Sequence, residues 1–325
     1  MKAELEFEKS VIIADVVHSK EEFISFMREI DIKPPFIVKP NWISEDYGHF
    51  TDPKVLIWLL EFLNKKGQVI LTESYSVRNT IKCPAINTKR MTEQDLKRIR
   101  STEEEFLTCT GISPVLQELN IEYVNVAEEV LKERIADPDI VRKKVTSSYE
   151  PVSRPELYSF VPEKLYKLRQ GTLISLARFK IFFSMCVKNM FGMIPEYVGY
   201  GARFRYHGRA DKYLALNIVD INKVYRSLFK VVGIVEGIHT LTCNMKGIHK
   251  PYRTLYGEKY FVSENNGLIY YGNDPLWLDA FIHQQCGKDP SKTEHLSKAA
   301  SSFGKWPSKL LEAAQQMPNP LKLVK

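Results

Sequence analysis

Short apolar runs alternate with helical segments along the first 75 residues of the chain. SVIIADVV (10–17) is typical of a strand, and KEEFISFMREI (20–30) has the spacing of an amphipathic helix. A second apolar run, PFIVKPNW (35–42), precedes a helix over 52–67 that begins with Asp-Pro and ends at a glycine. QVILTES (68–74) is another strand. Strand, helix and strand in about 40 residues predict a right-handed βαβ unit and a largely parallel sheet.

The rest of the chain continues this alternation. Three further strands are predicted over 121–129, 171–179 and 230–239. A strand, or a hairpin that turns at Asn266 and Gly267, is predicted over 260–272. Helices are predicted over the polar stretch 88–119 and over 274–287, which again starts with Asp-Pro and stops at a glycine.

We therefore predict an α/β fold in which a mostly parallel sheet is flanked by helices, either as one domain or as two closely joined lobes with a cleft. The first α/β half covers 1–131, and a proline-rich, irregular insertion or lobe boundary covers 132–170. The second half covers 171–305, and a loosely packed tail with three prolines covers 306–325.

Composition narrows the class of protein. The 325 residues are 44% apolar and 26% charged, and 17 Phe, 16 Tyr and 4 Trp exclude disorder as the dominant state. The sequence contains no stretch of 18 apolar residues, so no membrane span is predicted. The N-terminus carries acidic residues where a secretion signal would be basic. We expect a cytoplasmic protein that does not bind membranes.

The cysteines make a cofactor cluster improbable on spacing grounds. Five are scattered along the chain with no CxxC pair, at Cys83, Cys109, Cys186, Cys243 and Cys286. An odd, scattered set argues against a disulfide framework and against a local zinc or iron–sulfur loop. We predict reduced single thiols, no iron–sulfur cluster and no metal site, and the sequence leaves any other cofactor unknown.

The excess positive charge is confined to one quarter of the chain. Residues 178–259 contain 14 Lys and Arg against 5 Asp and Glu, a net charge of +9, and the remainder has a net charge of −2. A field of this sign attracts phosphates, carboxylates or nucleic acid. A solvated basic face is the alternative explanation.

Polar side chains follow the predicted strands at the edge where α/β proteins bind ligands. Lys39 and Asn41 follow the strand that ends at Val38, Lys180 follows the strand 171–179, and Glu236 lies late in the strand 230–239. A lysine beside an apolar run must find an anion or lose its charge. Lys39, Lys180 and Lys188 would form an anion clamp if they converge.

The segment FFSMCVKNMFGMIP (182–195) places Lys188 and Asn189 inside an apolar, helical stretch, where a charge requires a partner. The glycine-flanked loop that follows contains Arg203, Arg205 and His207. Arginines suit bidentate recognition of carboxylate or phosphate, and histidine can exchange a proton near neutral pH.

Two acidic residues flank the start of the last strong helix. Asp274 is predicted to cap this helix, and Asp279 is expected to be buried beside a lysine of the cluster. Glu236 and His239 are too few to define a metal site, and we favour a structural pairing for them.

The same motifs, in this order, resemble a family named domain of unknown function 362. The resemblance covers most of the chain and rests on the motifs KPNW (39–42), TDP (51–53), CTGI (109–112), ARFK with VKNMFG (177–192), RYH (205–207) and YYGNDPLWLDA (270–280). It implies a fold and a site but no established reaction. A weaker likeness, in Lys188, Gly192, Pro195 and His207, is to nickel-pincer lactate racemases, whose glycine-rich lead-in is absent.

This chain departs from the family pattern at three points. Ile181 and Phe182 stand where relatives often have a threonine-histidine pair, and Glu236 stands where an aspartate is usual. The family's frequent ferredoxin-like cluster domain is excluded by the cysteine spacing.

We interpret the chain as a protein with a lysine-rich, anion-binding cleft, acting by acid–base chemistry on a small molecule that bears carboxylate or phosphate. Lys188, Lys180 and His207 are the candidate catalytic residues. The candidate ligand-binding residues are Lys39, Asn41, Asn189, Arg203, Arg205, Glu236, Asp274 and Asp279.

Two alternatives stay open, and with them the question of whether the protein is an enzyme. The first is a non-catalytic accessory protein for an iron–sulfur, redox or cofactor-assembly system, with a redox protein as partner. The second, less favoured, is nucleic-acid binding through residues 178–259, with affinity that falls steeply with salt.

Overall fold

The structure is a computed structural model that describes residues 2–8, 10–76, 79, 93–180, 185–196, 203–242, 252–253 and 259–321. Its strands, in chain order, are β1 (Ala3–Phe7), β2 (Ser10–Val16), β3 (Phe36–Lys39), β4 (Val69–Glu73), β5 (Glu122–Asn125), β6 (Thr172–Lys180), β7 (Lys230–Thr242), β8 (Tyr252–Arg253), β9 (Lys259–Ser263) and β10 (Leu268–Gly272).

The helices of these ranges are α1 (Lys20–Arg28), α2 (Pro53–Asn64), α3 (Glu93–Cys109), α4 (Ile112–Glu118), α5 (Val126–Leu131), α6 (Pro138–Thr146), α7 (Glu163–Lys167), α8 (Cys186–Asn189), α9 (Phe204–His207), α10 (Leu214–Arg226), α11 (Pro275–Gln285), α12 (Glu294–Phe303) and α13 (Ser308–Gln316). Short 3₁₀ turns cover Pro155–Ser159, Met190–Met193, Arg209–Asp211 and Pro290–Lys292.

The ten strands of the described ranges belong to one sheet. Eight of them follow the order β1-β2-β10-β7-β6-β3-β4-β5, and β9 pairs with β7 and with β8 outside this order. The section from β7 to β5 is parallel throughout. The other edge is antiparallel, because β10 lies between β2 and β7 and β1 pairs with β2. The predicted α/β class with a mostly parallel central sheet is confirmed, and strands from both predicted halves share it.

The central strands β3, β4, β6 and β10 are buried on both faces, which explains why they are apolar at nearly every position. Alternate residues of β6 enter different cores. Ile174 and Leu176 pack with the cluster that contains residues of α1 and α2. Leu173 and Ala177 pack with the cluster that contains residues of α10 and α11.

The elements predicted for the first 75 residues are present, and their helix caps are those that the sequence indicates. Ser19 and Glu22 form a capping box at the start of α1. Asp52 accepts a hydrogen bond from the backbone N–H of Lys54, and Pro53 occupies the first position of α2. The parallel pairing of β3 with β4 places the ends of both strands at the same edge.

The predicted hairpin over 260–272 is wrong. β9 and β10 do not pair with each other, because both pair with the same side of β7, one after the other. The turn at Asn266 and Gly267 donates both backbone N–H groups to the carbonyl of Ile238, which keeps the two strands in line along β7.

Three other segments contain more regular structure than the sequence indicates. The stretch 132–170 includes α6, α7 and a 3₁₀ turn. Residues 308–316 of the predicted loose tail form α13, which buries Leu310 and Ala314. The strand predicted over 121–129 ends at Asn125, because the Asn125 side chain caps α5.

Candidate functional site

A chain of hydrogen-bonded polar side chains lies at the carboxyl ends of β3, β4 and β6. The Lys39 ammonium donates to Glu73 Oε2 at 2.7 Å, to Asn189 Oδ1 at 3.0 Å and to the carbonyl of Pro40 at 2.8 Å. Asn41 Nδ2 also donates to Asn189 Oδ1, at 3.2 Å. Lys180 closes the chain by donating to Asn41 Oδ1 at 2.7 Å. The structure thus brings together four of the predicted site residues: Lys39, Asn41, Lys180 and Asn189.

Lys39 has a structural environment. Its side chain is 1% exposed, and it makes three hydrogen bonds, one of them to a buried carboxylate. Gly192 covers this pair so closely that a Cβ atom there would lie 2.5 Å from Lys39 Nζ. An ammonium that already donates to three acceptors contributes to the folded state and has little capacity left for a ligand.

Lys180 has a different environment. It is partly exposed and has two acceptors in the described part of the chain, Asn41 Oδ1 and the carbonyl of His49 at 2.6 Å. Burial and the charges of Lys188 and Arg178 hold the pKa of Lys180 well below its usual range. An anion at this position would relieve the repulsion among these cations.

Arg178 and Glu236 form a buried ion pair on neighbouring strands. The Arg178 Nη1 atom donates to both carboxylate oxygens of Glu236, at 2.9 and 3.0 Å. Glu236 Oε1 also accepts from the backbone N–H of Asp52 at 3.0 Å. Burial raises the pKa of Glu236 to about 7, and the Arg178 charge opposes this rise. Glu236 therefore pairs with Arg178 and not with His239.

Lys188 links the strand-end cluster to a second polar group. Burial lowers the pKa of Lys188 to about 8, and the Asp211 charge opposes this shift. The Lys188 charge in turn lowers the pKa values of Lys180, His207 and His295, so its ammonium lies within electrostatic reach of all three. The Lys188 charge thus affects the pKa of both other candidate catalytic residues, Lys180 and His207.

His207 is held by an acidic partner and by aromatic rings. Its Nδ1 atom lies 2.8 Å from Asp211 Oδ1, and its ring contacts Phe191 edge-on at a centroid distance of 5.1 Å. Burial lowers the pKa of His207, and the hydrogen bond to Asp211 opposes the shift. A carboxylate on Nδ1 fixes the tautomer that leaves Nε2 as the proton acceptor.

The two loop arginines do not join the cluster as predicted. Arg203 donates to the backbone carbonyls of Ile194, Tyr75 and Gly192, at 2.9, 2.8 and 3.2 Å, and so ties the loop to the end of β4. The Arg205 side chain is exposed, since its position on the short helix α9 points it to solvent.

The two aspartates near α11 act as backbone caps. Asp274 caps α11, as predicted, and also pairs with Arg226 at 2.7 Å. Asp279 is fully buried and accepts from the backbone N–H groups of Cys186 and Val187, at 2.8 and 2.9 Å. The free N–H groups at the start of α8 therefore satisfy a carboxylate that we had expected beside a lysine.

The basic stretch 178–259 contains both ion-paired and exposed cations. Arg178 pairs with Glu236, Lys223 with Asp220 and Arg226 with Asp274. The exposed cations of the same stretch include Arg205, Arg209, Lys212, Lys230, Arg253 and Lys259.

Sequence reasoning missed Arg178, Asp211 and His295. Arg178 offers a signal in retrospect, because it is a charged residue inside an apolar strand and two positions before Lys180, so both side chains leave the same face of β6. Ile181 and Phe182, where the chain departs from the family pattern, lie outside the described residues, as do Cys83 and Cys243.

The described ranges show neither a metal-binding group of side chains nor a membrane-spanning helix. There, no group of three His, Cys, Asp or Glu side chains is placed to hold a metal ion. His239 approaches Asp52 at 3.6 Å, away from the carboxylate of Glu236 that Arg178 occupies. No helix in these ranges has the length and apolar character needed to cross a bilayer.

Comparisons with known proteins identify the family. Searches of the curated proteins and of the solved structures gave no match. A family model described as "Domain of unknown function (DUF362)" matches residues 37–284, which include the strand-end network, Lys188, His207 and the Asp279 cap. With that match covering most of its length, the chain belongs to the domain of unknown function 362 family.

Proposed function

We propose that the carboxyl-end edge of β3 and β6 binds a small molecule that bears a carboxylate or phosphate group. Lys180 and Lys188 hold its oxygens, Asn41 orients it, and Lys188 and His207 exchange protons with it. The observation that carries the proposal is the environment of Lys180. It is a partly exposed cation at a strand end, has one N–H beyond its two described acceptors, and lies among other cations.

The electrostatics favour an anion at this place. Burial lowers the pKa of Lys180, and the charges of Lys188 and Arg178 lower it further. A bound carboxylate or phosphate adds the missing opposite charge and forms charge-assisted hydrogen bonds. Binding is therefore expected to raise the pKa of Lys180.

The acid–base part of the proposal rests on Lys188 and His207. An amine with a pKa of about 8 has a neutral fraction near physiological pH, so Lys188 can accept a proton from a ligand and return it. His207, with Asp211 on Nδ1, is the second proton carrier.

The native mass of protein purified from its own host tests the proposal. Wild type and Lys188→Ala are compared with Lys167→Ala, which removes a lysine that is 66% exposed and paired with Glu163 on α7. We expect an added small mass in wild type and in the Lys167 variant that is lost from Lys188→Ala.

Calorimetry with inorganic phosphate and with acetate covers a ligand that dissociates during purification. A binding heat that depends on the ionisation enthalpy of the buffer would show that protons are exchanged when the anion binds. No added mass and no binding of either anion would reject the proposal, and a copurifying protein without a bound small molecule would favour the accessory role.

A further inference from the structure

The segment from Asn41 to Thr51, here the 41–51 loop, closes over the end of β6. Its two ends are joined, because the Asn41 N–H donates to Thr51 Oγ1 at 2.7 Å and the Thr51 N–H donates to the Asn41 carbonyl at 2.8 Å. Thr51 Oγ1 is also bonded to the carbonyl of Leu176 at 3.2 Å. The ends of the loop are therefore fixed to the sheet, and its middle is held by other contacts.

The middle of the loop is held by two cations of β6. Arg178 Nε donates to the carbonyl of Gly48 at 3.0 Å, and Lys180 Nζ donates to the carbonyl of His49 at 2.6 Å. The carbonyls of two consecutive loop residues thus accept hydrogen bonds from Arg178 and Lys180, which lie on the same face of β6. Lys180 is the same residue that the proposed function assigns to the ligand.

The guanidinium of Arg178 is only partly used. Its Nε and Nη2 groups point in the same direction and match the two oxygens of a carboxylate or phosphate. The Gly48 carbonyl has one oxygen and engages Nε alone. The Arg178 side chain is only 1% exposed, and its buried Nη2 atom has no hydrogen-bond partner in the described ranges. A buried, unpaired charged donor is costly, and such groups indicate a missing partner.

Glycine at position 48 permits this close approach. Its φ is +76°, and a Cβ atom there would lie 3.2 Å from Val262 Cγ2 and 3.7 Å from Arg178 Nη2. The backbone of the loop therefore lies beside the unused half of the guanidinium.

We infer that the Nε and Nη2 groups of Arg178, together with the Lys180 ammonium, form the oxyanion-binding part of the site, and that the carbonyls of Gly48 and His49 occupy it until a carboxylate or phosphate displaces them. The inference rests on the proposed function and extends it in two ways. It adds a bidentate arginine, which selects a planar pair of oxygens, and it makes the 41–51 loop a competitor of the ligand.

Competition between the loop and the ligand predicts that a substitution that weakens the closed loop raises ligand affinity. Tyr260 Oη donates to the carbonyl of Tyr47 at 3.0 Å and helps to hold the loop closed without touching either cation. Removing this hydroxyl weakens the closed loop, and a ligand that displaces the loop should then bind more tightly. If the loop were only structural support, the same change would leave affinity unchanged or reduce it.

The test is calorimetric titration of the full chain with inorganic phosphate and, separately, with acetate. Tyr260→Phe is expected to tighten binding about fivefold, the equivalent of one ordinary hydrogen bond. Tyr252→Phe is the matched control, because Tyr252 stacks on Tyr260 but its hydroxyl makes no hydrogen bond within the described ranges. The anion that binds more tightly in wild type identifies the ligand as phosphate-bearing or carboxylate-bearing.

Hydrogen exchange gives an independent readout. A saturating probe should speed exchange of the His49 amide, which donates to the Asp46 carbonyl at 2.9 Å within the closed loop. Arg178→Lys keeps a cation opposite Glu236 but loses the fork, so it should weaken probe binding at least about tenfold. If the Arg178→Lys variant does not fold, the Tyr260→Phe variant still tests the inference.

The outcomes separate the two proposals. Probe binding that requires Lys188, with an unchanged His49 amide and no tightening in Tyr260→Phe, would overturn the inference and leave the proposed function in place. The absence of any probe binding to wild type would overturn the inference, and together with the absence of an added mass it would overturn the proposed function as well.

Discussion

Lys39 and Lys180 lie at the ends of adjacent parallel strands and follow the same sequence pattern, a lysine directly after an apolar run. Lys39 is enclosed and donates to a carboxylate, an amide and a carbonyl. Lys180 is partly exposed, has two neutral acceptors and lies among other cations. The position of a lysine in an α/β sheet therefore does not define its role, and the number and charge of its acceptors do.

The carboxylates near the two lysines differ in the same way. Glu73 is bonded to Lys39 itself, so the charge is neutralised within the network. Glu236 is bonded to Arg178, which lies two residues before Lys180 on β6. Lys180 therefore has no bonded carboxylate in the described ranges. The region around Lys39 is thus complete, whereas the region around Lys180 can accept an anion.

The largest expected effect comes from breaking the complete region. Lys39→Met leaves Glu73 buried without a counter-ion, and we expect the free energy of unfolding in urea to fall by about 3–5 kcal/mol. Adding Glu73→Gln to this variant removes the buried charge and should restore part of the loss. A loss below about 1 kcal/mol in the single variant would show that Glu73 is solvated and that the network is not a structural element.

Lys180→Ala should change the stability little and the phosphate affinity strongly. Its two hydrogen bonds are to neutral acceptors, so we expect the free energy of unfolding to change by no more than about 1 kcal/mol. The affinity for inorganic phosphate should fall at least about tenfold, because a charge-assisted hydrogen bond is lost. Equal phosphate affinity in wild type and variant would assign Lys180 to structure, like Lys39.

His49 gives a pH dependence that belongs to the Lys180 region alone. Burial and the charges of Lys180 and Arg178 lower the pKa of His49 to about 4, from a usual 6.5. A depressed histidine pKa means that its contribution to stability is complete above pH 6.5 and is lost as the pH falls towards 4. We expect the free energy of unfolding to decrease by about 1 kcal/mol between pH 6.5 and 5 through this group.

His49→Asn should remove that part of the pH dependence, and His18→Asn, at an exposed position, should not. A bound phosphate brings negative charge to the same place, so an NMR titration should show a raised His49 pKa in its presence. A His49 titration that is insensitive to phosphate would place the anion elsewhere.

The smallest effect separates loop strain from ligand competition. Gly48→Ala and Gly111→Ala introduce the same left-handed strain, at φ of +76° and +73°, and each should cost about 1 kcal/mol of unfolding free energy. Only Gly48 touches the loop site, because a Cβ atom at Gly111 meets nothing within 4 Å. Phosphate affinity should therefore change by about twofold in the Gly48 variant alone, and a matching change in the Gly111 variant would contradict the competition.

The strand-end rule places Lys39, Asn41 and Lys180 at one edge of the sheet, since parallel strands end there, but it left open whether the lysines converge. Asn189 was a candidate because it lies beside Lys188 in an apolar stretch, and the bonds of its amide to Lys39 and Asn41 depend on how α8 packs on the sheet. The shared edge could be predicted because it needs only the direction of each strand.

The failures concern partners that are distant along the chain. Asp279 was expected beside a lysine, but it accepts hydrogen bonds from two backbone N–H groups of α8, and a helix of four residues has no clear sequence pattern. The role of Arg178 was missed because it depends on Glu236 and on the carbonyl of Gly48, which are both distant along the chain. The hairpin prediction failed because β7 competes with the local turn for both β9 and β10.

The position of β10 in the sheet has a consequence for the order in which the chain folds as it is synthesised. β2 pairs only with β1 and β10 in the described sheet, and Val16 is opposite Leu268. β3 and β4 can pair soon after the ribosome releases them, but the inner edge of β2 remains open until residues 268–272 emerge. Such an edge is prone to pair with other chains, and long-range pairing is slow. The last strand to be made is therefore the one that closes the sheet, and a chain shortened before Leu268 would expose the edges of both β2 and β7.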